Sequence, residues 1–285
     1  MRPKQWTKNL LFVFPAIVFD GQLFEAEPFM RVFAALVLFC LIAGSVYIIN
    51  DLADIESDRK HPKKRFRPLA SGQLPLRVAQ VAAVIIPLVS LTLALLLEPL
   101  LAAILTAYLI MQIAYSFALK HIVIIDVLVI MIGFIMRVAT GVVVIEVQNF
   151  SPWLYATTGL LALFLAVGKR RQELLALGED AADIRPIFKQ YNLALLDEML
   201  RVVTTSTLIT YLLYTIEVEP VSGENHLLVT VPFVMYGLFH YLYLIHVRGE
   251  GSAPDEVLLK DRPLQITLAL CAVIYLIILY VIPNV

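Results

Sequence analysis

The sequence predicts an all-α integral membrane protein, a helical bundle that crosses the bilayer nine times. Three observations carry this prediction. Hydrophobic residues make up 60% of the 285 residues and the mean hydropathy is +0.83. Apolar stretches of about twenty residues, long enough to span a hydrocarbon core of about 30 Å, recur from one end to the other. The net charge of −1 hides a sorting of charges by position, with short acidic linkers alternating with long basic ones.

Taken in order, the spans fall at about 9–26, 29–49, 76–97, 99–118, 122–145, 152–169, 199–217, 227–246 and 264–283. The first is short and contains Pro15 and Asp20, so it is expected to be tilted or partly re-entrant. Arg2, Lys4 and Lys8 precede it, but no small-residue cleavage site follows, which reads as a first span rather than a removed signal peptide. Cys40 and Cys271 lie inside apolar spans, so neither a disulfide framework nor a zinc site is expected. In 179–198, Ile184, Ile187, Phe188, Tyr191, Leu195 and Leu196 recur at roughly helical spacing. This segment is expected to be an amphipathic helix on the membrane face or over the loops, its apolar stripe packing against its neighbours rather than touching a substrate.

The short linkers near 27, 98, 147–151 and 218–226 hold no Lys or Arg, and they or the residues at their edges carry Glu27, Glu98, Glu146, Glu217, Glu219 and Glu224. Linkers 50–75, 170–198 and 247–263, with the 119–121 turn, hold nearly all the cations. Of 22 Lys and Arg, only Arg31 and Arg137 lie outside the N-terminal segment, these linkers and their adjoining span ends. The positive-inside rule therefore expects the N-terminus and the long linkers in the cytoplasm of a multi-pass cell (inner) membrane protein, and Val285 on the far side. The partner of the apolar faces is the lipid bilayer or a second subunit of a homo-oligomer; no nucleic-acid partner is expected.

The second span runs straight into Asn50-Asp51-Leu52-Ala53-Asp54-Ile55-Glu56-Ser57-Asp58. Asn50, Asp54 and Asp58 are spaced i, i+4, i+8, which on a continuing helix brings their oxygens to one face. Hard oxygens at a membrane edge suit Mg²⁺ carrying substrate phosphates, because Mg²⁺ takes few protein carboxylates and fills its shell with water and phosphate oxygens. Six cations follow within nine residues, Arg59 to Arg67. Carboxylates that hold a metal, beside cations that neutralise the remaining oxygens, form a diphosphate site.

The pattern Asn50-Asp51-x-x-Asp54-x-x-x-Asp58, followed by Arg67-Pro68-Leu69 and Gly72, resembles the first aspartate-rich motif of the UbiA superfamily of intramembrane prenyltransferases. That resemblance implies a single transmembrane catalytic domain over 1–285, nine helices in a UbiA-type bundle, an active site facing the cytoplasm and Mg²⁺-bound diphosphate. Typical members carry a second aspartate-rich motif after the sixth span. Here that place reads Gly168-Lys169-Arg170-Arg171-Gln172-Glu173, with one carboxylate and three cations. The substitution is similar to the decaprenyl-phosphate phosphoribosyltransferase branch. So are Arg2-Pro3-Lys4-Gln5-Trp6-x-Lys8-Asn9, Tyr115-Ser116-Phe117-x-Leu119-Lys120-His121, Gly133-Phe134-x-x-Arg137 and Lys260-Asp261-Arg262-x-Leu264-Gln265.

The branch resemblance implies phosphoribosyl diphosphate as donor and a long polyprenyl phosphate as acceptor, for cell-envelope precursor synthesis. Asn50, Asp51, Asp54 and Asp58 are the expected metal ligands, and Asp54, Asp58 and Lys120 the expected catalytic residues. Substrate contacts are expected from Lys8, Lys63, Arg65, Arg67, Tyr115 and Lys120, and from Asp126, Arg137, Lys169, Arg170, Arg171 and Glu173. Asp126 either ligates metal through water or pairs with Lys120. Arg137 lies three helical turns, about 16 Å, deeper than Asp126; an intramembrane arginine faces the bundle interior, where it holds a phosphate, lines the cavity or makes a structural bond. The acceptor phosphate is already an anion, so no general base is assigned, and neither His61 nor His121 is given a catalytic role. Two other readings fit parts of the pattern. One is prenyl transfer to an aromatic or glycerol-phosphate acceptor, which the cations at 169–171 disfavour. The other is a transporter or lipid-binding scaffold, whose acidic residues belong nearer the bilayer midplane.

Overall fold

The computed structural model describes residues 6–60, 64–147, 151–178, 181–217, 226–250, 257 and 260–281, and every regular element among them is helical. In order these are α1 (Trp6–Val13), α2 (Pro15–Phe19), α3 (Ala26–Ala53), α4 (Ile55–Lys60), α5 (Leu76–Leu97), α6 (Pro99–Phe117), α7 (Ile125–Val142), α8 (Pro152–Leu177), α9 (Ala181–Ile184), α10 (Leu193–Glu217), α11 (Val231–His246) and α12 (Arg262–Tyr280). A helix closes all its backbone hydrogen bonds within one segment, which is why long apolar runs take this form in lipid. Among the described residues, seven segments are long and apolar enough to cross a membrane: α3, α5, α6, α7, α10, His226–His246 and α12.

The other two stretches expected to span differ for local reasons. The first is broken: Pro15 has no N–H to continue α1, α2 ends at Phe19, and Gly21 turns the chain with φ +76°. The sixth lies in α8, 26 residues long, whose last third carries Lys169, Arg170, Arg171 and Glu173. The expected amphipathic helix over 179–198 does not form. Arg185 is extended (φ −144°, ψ 102°) ahead of Pro186, as a residue before proline tends to be, so α9 ends at Ile184 and a 3-10 turn, Pro186–Lys189, follows. Its apolar residues do pack inward: Ile187, Phe188, Tyr191 and Leu196 are all buried.

The helices group into two compact units, Met1–Ala118 with Met136–Gln148, and Leu119–Ile135 with Asn149–Val285, so that α7 contributes to both. In the first unit α3 is central and packs on α1, α5 and α6. It buries 61% of its most apolar stretch, including Phe39 and Ile42, against 17% for α5 and α6, whose exposed Val84, Leu88 and Leu96 leave an apolar surface suited to lipid. Gly141 on α7 is required here, because a Cβ at that position would lie 2.1 Å from the Val13 carbonyl oxygen. In the second unit α8 lies along α10 and α11 along α12. Their shared core gathers Phe164, Val167, Leu200, Leu244 and Ile245.

Candidate functional site

α3 stops at Ala53, with Asp54 (φ −97°, ψ 7°) as its C-cap, and α4 resumes at Ile55. The helical register survives the junction: Asp54 N–H donates to the Asn50 carbonyl (2.9 Å) and Asp58 N–H to the Asp54 carbonyl (2.8 Å). The chain then returns, and Arg67 comes to lie against the acidic run. Its Nη1 donates to Asp58 Oδ2 at 2.6 Å and to Asp51 Oδ1 at 3.2 Å. The Asp58 side chain is 2% exposed and that of Asp51 18%, so two shielded carboxylates face one cationic nitrogen. The acidic and basic halves seen in sequence therefore meet at Arg67. Asn50 and Asp54 are half-buried beside it in the chain, and Arg65 stacks over the exposed Phe66 ring at 4.8 Å. Lys63 lies outside the described residues, as does the side chain of Lys8.

Among the described residues no three His, Cys, Asp or Glu side chains form a ready-made metal cage. Two carboxylates converging on one cation, with Asn50 and Asp54 in the same helical register, nevertheless give a hard-oxygen donor set that fits Mg²⁺. That ion takes one or two carboxylates and completes its octahedron with water and substrate phosphate.

The second unit builds a separate charged network. Asp126, fully buried in the first turn of α7, accepts from Arg170 Nε at 2.8 Å and from the Tyr191 hydroxyl at 2.7 Å. Its partner is thus Arg170, not Lys120. Tyr191 in turn accepts the Ile124 N–H at 2.8 Å, which holds Ile124 at φ +70°, an unusual conformation for a β-branched residue. Burial, reinforced by the hydrogen bond to Asp126, pushes the Tyr191 phenol well above its ordinary range, so it stays a proton donor. Arg170 Nη1 also donates to Glu173 (2.7 Å), which accepts Arg185 as well (2.9 Å). Arg171 donates to Asp197 (2.6 Å) and to the Ile245 carbonyl (3.3 Å). Of the three adjacent cations, two are therefore tied to carboxylates in tight pairs, whereas Lys169 is 45% exposed with Glu173 at 3.9 Å. Lys120, half-buried, meets no carboxylate among the described residues, and Tyr115 is also half-buried.

Arg137 is held in the first unit by neutral groups. It donates to Asn9 Oδ1 (2.9 Å) and the Tyr108 hydroxyl (3.0 Å), and its guanidinium lies over the Phe39 and Tyr108 rings at 5.1 and 5.3 Å. Of the alternatives open in sequence, the structure shows a bonded arginine that ties α1, α3, α6 and α7 together. In the motif Lys260-Asp261-Arg262, Asp261 caps α12 through Leu264 N–H (2.8 Å) and meets His240 Nε2 (2.9 Å). The partners Tyr191, Arg185, Asp197 and Tyr108 were not singled out as site residues in sequence. Tyr191 alone had a signal there, as part of the apolar stripe.

Fold and site together define a polytopic helical membrane protein with a shielded acid–cation cluster at the end of a spanning helix. The chain belongs to the UbiA prenyltransferase family, whose sequence profile matches residues 10–259. It is similar to the decaprenyl-phosphate phosphoribosyltransferase of Corynebacterium glutamicum, 33% identical over 272 residues that cover 93% of this chain and 81% of that one. A protein of the same name from Mycobacterium tuberculosis H37Rv is 33% identical over 270 residues, covering 93% and 88%. Among solved structures, a UbiA homolog from Archaeoglobus fulgidus bound to DMAPP and Mg²⁺ superposes with a TM-score of 0.72, at 19% identity and over 99% of this chain and 98% of that one. The all-helical transferase fold expected from sequence is thereby shown.

Proposed function

We propose that this protein transfers the 5-phosphoribosyl group of phosphoribosyl diphosphate to a polyprenyl phosphate, such as decaprenyl phosphate, releasing pyrophosphate. The observation that carries the reading is the convergence of Asp51 and Asp58 on Arg67, a hard-oxygen pair with a guanidinium at the same point, as a metal–diphosphate needs. The choice of donor and acceptor is supported by relatives of that name along 93% of the chain.

Asn50, Asp54 and Asp58, with Asp51, would hold Mg²⁺, which when bound offsets the charge that builds on the leaving diphosphate. Arg65 and Arg67 supply hydrogen bonds to phosphate oxygens, and the sequence motif that contains Lys120 makes it a further phosphate contact in this reading. The bond from ribose C1 to the diphosphate oxygen breaks and its electron pair leaves on pyrophosphate. A lipid phosphate oxygen forms the new bond to C1 from the opposite face. That oxygen is anionic at neutral pH, so no side chain has to take a proton from it. Within the 169–171 run Lys169 is the more exposed cation, at 45%, whereas Arg170 and Arg171 are paired with Asp126 and Asp197.

Membranes containing the protein should convert labelled phosphoribosyl diphosphate and polyprenyl phosphate to a ribosylated lipid in the presence of Mg²⁺. They should not transfer label from a prenyl diphosphate to 4-hydroxybenzoate. The reverse pattern would identify a prenyltransferase instead. Asp54→Ala should lower the Mg²⁺-dependent rate by at least about a hundredfold, the scale for loss of a transition-state charge contact, with the protein still folded by its thermal transition. Near-normal turnover in that variant removes Asp54 from the metal site.

A further inference from the structure

Asp51 and Asp58 are held together by a cation that belongs to the protein. Two carboxylates aimed at one point repel each other, and the Asp58 side chain, 2% exposed, has little water to screen it. Arg67 Nη1 answers both, at 3.2 and 2.6 Å. A divalent cation bound through these oxygens would sit at about 2.0–2.1 Å from them, in the region that the guanidinium now fills. Metal and guanidinium therefore compete for the same lone pairs. The surroundings allow Arg67 to give way. Its side chain is 26% exposed, and its backbone is fixed independently of its tip, with Ser71 N–H on the Arg67 carbonyl (2.9 Å) and Leu74 N–H on the Pro68 carbonyl (2.9 Å). The head can swing on its three-carbon stem while the loop stays in place.

We propose that Arg67 is a resident counter-cation of the acidic cluster, which a divalent metal displaces and which is thereby released to meet the anionic donor arriving with that metal. The proposal rests on the metal–diphosphate reading above and adds to it a direction. Without donor the protein resists metal because its own guanidinium holds the carboxylates. With donor, Arg67 exchanges carboxylate partners for phosphate oxygens, so metal and donor favour each other's binding. An empty cluster is kept from collapsing or from repelling itself open by the same residue.

The test uses Mn²⁺ as the probe, read by the electron paramagnetic resonance of the free ion, with purified full-length protein in detergent and no donor. Arg67→Gln should bind Mn²⁺ about tenfold more tightly than the parent, the scale of removing one competing charge from a shielded site. It should also melt lower than the parent without metal and gain more from added Mn²⁺. Detectable binding by the variant where the parent shows none counts in favour. Unchanged or weaker binding by folded Arg67→Gln overturns the proposal, as does the absence of binding in both. If Arg67→Gln does not fold, Arg67→Lys decides. It keeps the charge but replaces Nη1, the nitrogen that reaches both carboxylates, with a more strongly hydrated ammonium on a flexible stem of shorter overall reach. It should bind Mn²⁺ more tightly than the parent; equal or weaker binding overturns the exchange. Asp58→Asn separates this idea from the one beneath it. If Asp58→Asn leaves Mn²⁺ binding intact, the metal reading itself fails. If it abolishes binding while Arg67→Gln weakens it, the exchange alone fails.

Discussion

Arg170 and Arg171 are neighbours in sequence but point about 100° apart on α8, and each finds a different carboxylate, Asp126 and Asp197. Spacing within the chain shows that three cations lie together; it cannot show what they face, because Asp126 is 44 residues away and reaches Arg170 only through tertiary packing. The acidic motif was legible for the opposite reason. Asn50, Asp54 and Asp58 sit on consecutive turns, and local hydrogen bonds carry that register across the α3–α4 junction. The burial of the Asp126–Arg170 pair has an energetic consequence. Removing the Asp126 charge leaves Arg170, 4% exposed, to share Glu173 with Arg185, so Asp126→Asn should cost about 2 kcal/mol or more. Arg201, whose side chain is 73% exposed in its pair with Glu198, provides the contrast: Arg201→Ala should change stability by less than about 1 kcal/mol. Thermal denaturation of the two variants in the same detergent compares them directly, and equal losses would show that the buried network is not what holds this part of the unit together.

At the level of elements, apolar run length predicted most spans to within a few residues, because a segment in lipid has few ways to satisfy its backbone. Two of the departures share one cause, a proline acting on its neighbours. Pro15 splits the first stretch, and Pro186 forces Arg185 out of the helix that its apolar stripe otherwise favours. What sequence could not show is that α1 is pinned so closely. Asn9 on α1 joins Arg137 and Cys40, and Gly141 lets the Val13 carbonyl approach α7. Gly141→Ala places a methyl 2.1 Å from that backbone oxygen, which has no flexible end to move aside. The substitution should destabilise the protein by about 1–3 kcal/mol through displacement of α1. Gly168→Ala, where the new Cβ would meet the Tyr241 ring at an ordinary 3.4 Å, should cost much less. Melting temperatures of both variants test the assignment, and similar values for the two would refute the close approach of α1.

For the molecule as a whole, the two ends of α3 differ in the charges they carry. Twenty-eight residues rise about 42 Å, enough to cross the hydrocarbon core and reach both headgroup layers. Glu27 in its first turn and the Asp51 cluster at its last therefore emerge on opposite sides. The cations follow the second end: Arg59, Lys60, Lys64, Arg65 and Arg67 all come after it, whereas Arg31 is the one cation near the first end and its guanidinium is committed to the Val144 carbonyl at 2.6 Å. From the positive-inside rule we propose that the acid–cation cluster faces the cytoplasm, where a water-soluble sugar diphosphate would reach it. With Cys40 and Cys271 replaced by Ala, a cysteine introduced by Glu27→Cys should react with a membrane-impermeant maleimide in intact bacterial cells. One introduced by Gln73→Cys, in the exposed turn before α5, should react only after permeabilisation. The opposite pattern would place the site outside the cell, away from any cytosolic donor, and would sink the proposed reaction together with the topology.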